Sequence, residues 1–334
     1  MSPEPNLRIA IIGAGAIGSL FAFRLARAGQ DVTLIVRNPE RAAFLREHGV
    51  LGRAALTRRV RSAPVGVKPA LERDDAYDLV MVCVQRHQFD VLVPALAANR
   101  SRQIMLMFNC ARGADAWSPE LGADRVVWGF PAVLAHVDDG VLRYRILPAV
   151  ARFLQITVLG RPDGKVTPEL DAVRQVFTRA GFPSRYESDI DAWLKTHAAL
   201  IAPMLALSAD LPPKSVGPLF GRNDSRLMAA GIHTALRAVR DSGHRLTPLN
   251  MRSLERVPPR VLAMLLRCIS TLPVAKQSLR DHGSAAPTET AMLLEELHGL
   301  ARAGLVDPSA LTELSKRLPE AALPVTQAPS RVSV

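Results

Sequence analysis

The sequence has few cysteines, few lysines and no long apolar runs. Its three cysteines form no CxxC pair and leave one unpaired, which excludes a disulfide framework and predicts reduced thiols in a cytoplasm. No apolar run reaches the roughly 18 to 20 residues that span a bilayer, because the longest, at 198–209, is interrupted by Pro203. The start, MSPEPNLR, lacks the charged-then-apolar order of a signal peptide. We therefore expect a cytoplasmic protein without a membrane partner.

Acidic residues are fewer than basic ones, and the net charge of +11 raises the question of nucleic-acid binding. The only dense basic cluster, Arg53, Arg58, Arg59 and Arg61, has no interleaved aromatic residues and belongs to no nucleic-acid motif. We interpret it as a solvated face, with attraction for phosphate-bearing small molecules as the alternative, and predict no nucleic-acid partner. The histidines do not combine with Cys or carboxylates in a metal-ligand spacing, so we predict no metal.

A glycine-rich turn lies close to the start of the sequence. An isoleucine-rich run at 9–12 stops at Gly13-Ala14-Gly15-Ala16-Ile17-Gly18, and a helical pattern follows at once. Gly13 permits the sharp turn, Gly15 lets the backbone approach a pyrophosphate, and Gly18 lets the helix pack closely on the strand. A bare GxGxxG can be no more than a turn. A second strand at 31–36 completes a βαβ unit here, which favours dinucleotide binding with the pyrophosphate at the helix start.

The end of the second strand predicts which dinucleotide binds. Proteins that prefer NAD usually carry Asp or Glu there to hold the ribose 2′-hydroxyl. Here the strand ends at Arg37, and a guanidinium can clamp a 2′-phosphate with two parallel hydrogen bonds. We therefore predict NADP(H) as the cofactor. The alternative is a surface arginine, and whether Arg41 also contacts the cofactor stays open.

Further along, continuous apolar runs at 78–84 and 104–108 predict parallel strands covered on both faces, with a helix at 89–98 between them. A short strand is expected near 60–67. Asn109 follows the run at 104–108, at the edge where doubly wound sheets bind ligands, although Asn is also common in turns. Asp138-Asp139-Gly140 between alternating runs predicts a hairpin that closes the far side of the sheet.

From about residue 189 the βα alternation ceases and helical patterns broken by proline follow. We predict an α/β fold: a Rossmann doubly wound sheet with an antiparallel extension at 1–187, an all-α domain at 188–317, and a disordered tail at 318–334. Lys195, one of only six lysines, interrupts an apolar helix and is either in a structural ion pair or catalytic. His197 is interpreted as a core histidine. Glu289 at a helix start is explained by the helix dipole as readily as by catalysis.

Together these residues resemble the ketopantoate reductase (2-dehydropantoate 2-reductase) family over about residues 8–310. The resemblance rests on the order of the glycine-rich turn, Arg37, Asn109, Trp193-Leu194-Lys195, and Asp281 with Thr288-Glu289. It implies an NADPH-dependent reduction of a 2-keto acid, ketopantoate to pantoate in pantothenate biosynthesis. In this family Lys195 would be the general acid at the ketone oxygen, Asn109 would orient Lys195, and Glu289 would hold the substrate hydroxyl. An ammonium there stabilises the negative charge that hydride transfer builds on the oxygen.

The sequence departs from the family pattern in several places. Gln85, beside Arg86, stands where the family has a cofactor-binding lysine, and the Asn-Gly-x-Gly turn has become Asn109-Cys110-Ala111-Arg112-Gly113. Ala199 and Pro203 replace asparagines that hold the substrate, and Gln277 aligns with a serine. The alternatives are therefore a reductase of a more apolar ketone or imine, or a non-catalytic NADP-binding sensor. The sequence fits either a monomer or a homodimer. Whether Arg86 also contacts the cofactor stays open.

Overall fold

A computed structural model describes residues 6–55, 57–145, 156–209, 218–272, 275–276, 279 and 286–322. The chain divides into two compact units, residues 1–108 with 113–191, and residues 109–112 with 192–334. Within the described ranges, no helix combines the length and the apolar character needed to cross a membrane.

The strands of the described residues all belong to the first unit. In chain order they are β1 (Arg8–Ile12), β2 (Asp31–Ile35), β3 (Val50–Ala54), β4 (Arg61–Ala63), β5 (Gly66–Lys68), β6 (Leu79–Val82), β7 (Gln103–Leu106), β8 (Val126–Phe130), β9 (Leu134–Asp138), β10 (Val141–Arg145), β11 (Thr157–Gly160) and β12 (Ser184–Tyr186). Eight form one sheet in the order β12-β11-β8-β7-β6-β1-β2-β5. Because β1 pairs in parallel with both β2 and β6, the strand order reverses at β1, and the predicted doubly wound sheet is confirmed.

The helices of this unit are α1 (Ala16–Arg27), α2 (Pro39–His48), α3 (Val93–Ala98), α4 (Ser118–Leu121) and α5 (Pro168–Arg179). The helix predicted at 89–98 was wrong in its first half. Residues Arg86–Gln88 and Asp90–Leu92 form single 3-10 turns instead. Pro94 explains the difference, since it lies in the first turn of α3 and would break a helix that began at residue 89.

The hairpin predicted at Asp138-Asp139-Gly140 is present, with Asp139 and Gly140 at positive φ between antiparallel β9 and β10. Its predicted place was wrong, because β9 and β10 belong to a separate four-stranded sheet in the order β4-β3-β10-β9. The antiparallel extension of the main sheet is β11, which pairs with β8. The strand predicted near 60–67 divides at Pro64, which has no N–H to donate, into β4 and β5 of different sheets.

The described part of the C-terminal region contains helices and no strands: α6 (Ile190–Ala206), α7 (Arg222–Asp241), α8 (Asn250–Arg256), α9 (Pro259–Ile269), α10 (Pro287–Ala303) and α11 (Ser309–Ser315). This confirms the predicted helical C-terminal region. Pro203 lies inside α6, where it packs close to Gly231 of α7, 3.3 Å from the position a Cβ would take there. Gln277, Asp281 and the predicted tail beyond residue 322 lie outside the described residues.

Candidate functional site

The glycine-rich turn uses its three glycines for different purposes. Gly13 has a φ of 102°, and a Cβ on it would lie 2.5 Å from the carbonyl oxygen of Cys83. A Cβ on Gly18 would collide with the carbonyl oxygen of Gly13. Gly15 is exposed, with an ordinary φ of −73°, and a Cβ there would meet nothing within 4 Å. The fold therefore requires glycine at 13 and 18, whereas the space in front of Gly15 is open to a ligand.

Helix α1 begins inside the glycine-rich turn. Gly15 is its N-cap and has no side chain to cap the helix, so helix geometry leaves the N–H groups of Ala16, Ile17 and Gly18 without intrahelical acceptors. The first turn of this helix also holds no acidic residue. The hydroxyl of Ser19 donates instead to the Ala14 carbonyl oxygen over 3.0 Å, which holds the turn in shape. Such a helix start can hold an anion.

A cleft of about 600 Å³ in the first unit gathers most of the predicted cofactor residues. These are Gly13, Ala14, Gly15, Arg37 and Gln85, together with Arg41. One wall is apolar and was missed by the sequence analysis; it consists of Pro69, Ala70, Leu71, Val84, Leu92, Ala95 and Leu96. Its residues follow β5, follow β6 or precede β7, and only the strand pairing brings those segments together. The flat face of an aromatic base such as adenine can pack against a wall of this kind.

The two candidate arginines differ in how far the protein already holds them. Arg37 is exposed, and no hydrogen bond or ion pair joins it to another residue in the described ranges. Arg41 lies over the ring of Phe44, 5.3 Å from its centroid, and its Nη1 donates to the Gly140 carbonyl oxygen at 3.4 Å. Burial lowers the pKa of the Arg41 guanidinium. Arg37 is therefore the guanidinium better placed to bind a phosphate.

The neighbouring residues Gln85 and Arg86 lie in different environments. Gln85 lines the cleft and caps the 3-10 turn that follows, its backbone N–H donating to Gln88 Oε1 at 3.3 Å. The side chain of Arg86 is only 3% exposed; it lies over the Trp117 ring at 4.7 Å and donates to Asp90 Oδ2 at 3.1 Å. Arg86 is not among the residues that line the cleft. Its contacts are those of a structural residue.

The three residues predicted to be catalytic all belong to the second unit. Lys195 on α6 is 5% exposed, and Glu289 in the first turn of α10 is 7% exposed. Asn109 belongs to the 109–112 segment of that unit, and its Oδ1 is buried with no hydrogen-bond partner among the described residues. Because a buried acceptor without a donor is unfavourable, this atom is suited to accept a hydrogen bond from a ligand.

Two carboxylates that the sequence analysis did not assign to the site hold the chain around Asn109. Glu296 Oε2 accepts the N–H groups of Ala111, at 2.7 Å, and Arg112, at 3.1 Å. Asp191 Oδ1 accepts the N–H of Ala114 at 2.7 Å. One sequence signal pointed to Glu296, since it lies seven residues after Glu289 and therefore on the same face of a helix.

Two of the positions that depart from the family pattern, Ala199 and Pro203, offer no polar side chain. Ala199 is fully buried in the apolar core of the second unit, and Pro203 lies inside α6.

In the described part of the chain, no group of three or more His, Cys, Asp or Glu residues could hold a metal ion.

His197 stacks on Trp193, with ring centroids 5.1 Å apart and planes at 5°. Burial lowers the pKa of His197 to about 4, from 6.5. The unfolded chain therefore binds a proton at this residue in a pH range where the folded chain does not, and stability falls as the pH decreases from 6.5 toward 4.

We expect His197 to contribute about 2–3 kcal/mol to this loss of stability between pH 6.5 and 4. Urea unfolding of the wild type and His197→Gln across that range measures the contribution, because glutamine does not titrate. The pH slope should be shallower in the variant. Parallel slopes for the two proteins would contradict a His197 that stays neutral in the folded protein.

A family model described as ketopantoate reductase PanE/ApbA matches residues 9–145. Among curated proteins, the Trk system potassium uptake protein TrkA of Mycobacterium tuberculosis is 32% identical over 115 residues, which are 33% of this chain and 52% of TrkA. The 2-dehydropantoate 2-reductase of Lactococcus lactis is 30% identical over 87 residues, 26% of this chain and 28% of that enzyme. The chain thus matches only about half the length of TrkA and less of the reductase.

Solved structures match over nearly the whole chain. The 2-dehydropantoate 2-reductase from Geobacter metallireducens has a TM-score of 0.72 at 17% identity, over 94% of this chain and all of that one. D-mandelate dehydrogenase with NADH and anilino(oxo)acetate has a TM-score of 0.67 at 14% identity, over 92% of this chain and 96% of that one. Residues 9–145 therefore resemble the ketopantoate reductase PanE/ApbA family, and the chain has the fold of these two dehydrogenases.

Proposed function

We propose that the protein is an NADP(H)-dependent oxidoreductase that reduces a 2-keto acid to the 2-hydroxy acid. The observation that carries the proposal is that Gly13–Gly15, Arg37 and Gln85 line one cleft within the region that matches ketopantoate reductases. A cytoplasmic location and a monomeric or homodimeric state are part of the proposal and rest on the sequence alone.

The residues of the cleft fit the parts of a dinucleotide. The open space at Gly15 and the start of α1 suit the pyrophosphate, the apolar wall suits the adenine, and Arg37 suits a 2′-phosphate. When bound, the reduced cofactor supplies the hydride. Gln85 can donate and accept hydrogen bonds where the ketopantoate reductase family has a lysine, so it can bind the cofactor without adding a charge.

Three side chains of the second unit would act on the substrate. The Lys195 ammonium would stabilise the developing charge on the keto oxygen and then protonate it, which buried surroundings make more effective. Asn109 would orient that ammonium, or bind the cofactor, through the buried Oδ1 that lacks a donor. Glu289 would accept a hydrogen bond from a substrate hydroxyl.

Gly15 and Gly18 allow a test that separates cofactor binding from folding. Gly15→Ala should leave thermal stability close to that of the wild type, because its Cβ meets nothing, yet weaken NADPH binding at least tenfold by filling the approach of the pyrophosphate. Gly18→Ala should lower stability, because its Cβ collides with Gly13. Calorimetry and NADPH titration of both variants measure the two effects. Unchanged NADPH affinity in Gly15→Ala would argue against this binding mode.

A more apolar substrate than ketopantoate is the second candidate. Ala199 and Pro203 cannot form side-chain hydrogen bonds at the two positions where the ketopantoate reductase family has asparagines. The protein should therefore select only weakly for a substrate that carries the hydroxyl of ketopantoate. One structure with the same fold is of a dehydrogenase named for mandelate, an aromatic 2-hydroxy acid. If ketopantoate is the substrate, the reaction belongs to pantothenate biosynthesis.

The proposal is tested by measuring the rate of NADPH oxidation with a panel of substrates. The panel contains ketopantoate, branched aliphatic and aromatic 2-oxo acids, and cyclic imines. We expect turnover of at least one 2-oxo acid, and the order of kcat/KM identifies the substrate class. Turnover of imines alone would favour an imine reductase. Tight NADPH binding without any turnover would favour the non-catalytic sensor.

A further inference from the structure

One carboxylate oxygen organises the backbone just after Asn109. Glu296 Oε2 accepts two consecutive N–H groups, from Ala111 and Arg112, over 2.7 and 3.1 Å. Ala111 is only 1% exposed, so solvent cannot readily replace this acceptor. Hydrogen bonds from backbone N–H groups to a carboxylate are stronger than neutral ones. Glu296 therefore holds the segment in one conformation.

The same contact links Asn109 to the helix that carries Glu289. Glu296 lies seven residues after Glu289 on α10, about 10 Å along the same face at 1.5 Å per residue. Ala111 also packs in one apolar cluster with Ala198 and Ala202 of α6, the helix that carries Lys195. The segment is thus fixed to both helices whose side chains are proposed to act on the substrate.

We propose that Glu296 is a positioning residue for the reduction. By holding the N–H groups of Ala111 and Arg112, it places the amide of Asn109, two residues earlier, for its contact with Lys195 or the cofactor. The role rests on the proposed reductase function. It does not require Glu296 to touch the substrate or the cofactor.

Two variants and a matched control test this role. Glu296→Ala removes the oxygen that accepts both hydrogen bonds, whereas Glu296→Gln keeps one carbonyl oxygen that accepts more weakly. Glu295→Ala removes the neighbouring carboxylate, whose side chain is exposed on the same helix and is the control. The readouts are hydrogen exchange of the peptide that contains residues 109–114, the kinetic constants kcat and KM, and the NADPH dissociation constant.

In Glu296→Ala we expect faster exchange at Ala111 and Arg112 and a kcat about 10- to 100-fold lower, because a small displacement of a positioned group is costly. NADPH affinity should change much less, since the glycine turn and Arg37 lie in the other unit. Glu296→Gln should recover part of both the protection and the kcat. Glu295→Ala should match the wild type in all readouts.

Hydrogen exchange separates failure of this role from failure of the proposed function. Faster exchange in Glu296→Ala with kcat within twofold of the wild type would overturn the positioning role and leave the reductase intact. A wild type that reduces no 2-keto acid would overturn both. If Glu296→Ala does not fold, Glu296→Gln decides, and wild-type exchange and kcat in that variant would overturn the proposal.

Discussion

Replacing Lys195 with alanine is expected to lower kcat for 2-keto acid reduction about 10²- to 10⁴-fold, the range typical of a lost general acid. The ammonium is buried, so water cannot easily take its place beside the developing oxyanion. NADPH affinity should be retained, because the residues proposed to bind the cofactor phosphates lie in the first unit. Steady-state kinetics and NADPH titration of the same preparation measure both quantities.

Lys316→Ala is the control for this experiment. Lys316 is exposed and pairs with Glu313 on the surface, so its loss should leave both kcat and NADPH affinity unchanged. If Lys195→Ala keeps kcat within about tenfold of the wild type, Lys195 is not the general acid. Lys195 would then have the structural role that the sequence left open.

Replacing Arg37 with aspartate is expected to reverse the cofactor preference, lowering the NADPH-to-NADH ratio of kcat/KM about 10²- to 10³-fold. The substitution removes two charge-assisted hydrogen bonds to the 2′-phosphate of NADPH, and the new carboxylate repels that phosphate. The same carboxylate can accept a hydrogen bond from the ribose 2′-hydroxyl of NADH. The measurement is kcat/KM for both cofactors at fixed keto acid concentration.

Arg46→Asp makes the same change of charge in the same domain and is the matched control. Arg46 is exposed on α2 and does not line the cleft, so its replacement should leave the ratio within about twofold of the wild type if long-range electrostatics are screened. An equal shift in both variants would mean that net charge, not a contact at Arg37, determines the preference.

The parts of the fold that local sterics determine could be predicted from the sequence. Gly13 has a positive φ and Gly18 lies against the Gly13 carbonyl oxygen, and both constraints are local to the turn, so the glycine spacing alone indicated the strand, turn and helix. The continuous apolar runs likewise predicted parallel strands, and residues 79–82 are completely buried. The helical character of the C-terminal region followed from its periodicity.

Features that depend on pairing between distant segments could not be predicted. The hairpin at Asp139-Gly140 was recognised from its turn, but which sheet it joins depends on β10 pairing with β3, some ninety residues earlier in the chain. The apolar wall of the cleft and the contact of Glu296 with Ala111 depend in the same way on tertiary packing. Arg86 and Arg37 look alike in sequence, and only the structure distinguishes the buried guanidinium from the exposed one.

Transfer of deuterium from labelled NADPH to the product tests the central claim most directly. The wild type is incubated with a 2-keto acid and NADPH that carries deuterium at the transferable position of the nicotinamide, and the 2-hydroxy acid is examined by mass spectrometry and NMR. We predict one deuterium on the carbon that bears the hydroxyl, and a rate of labelling that falls sharply in Lys195→Ala. Bound NADPH that delivers no deuterium to any 2-keto acid would contradict the account.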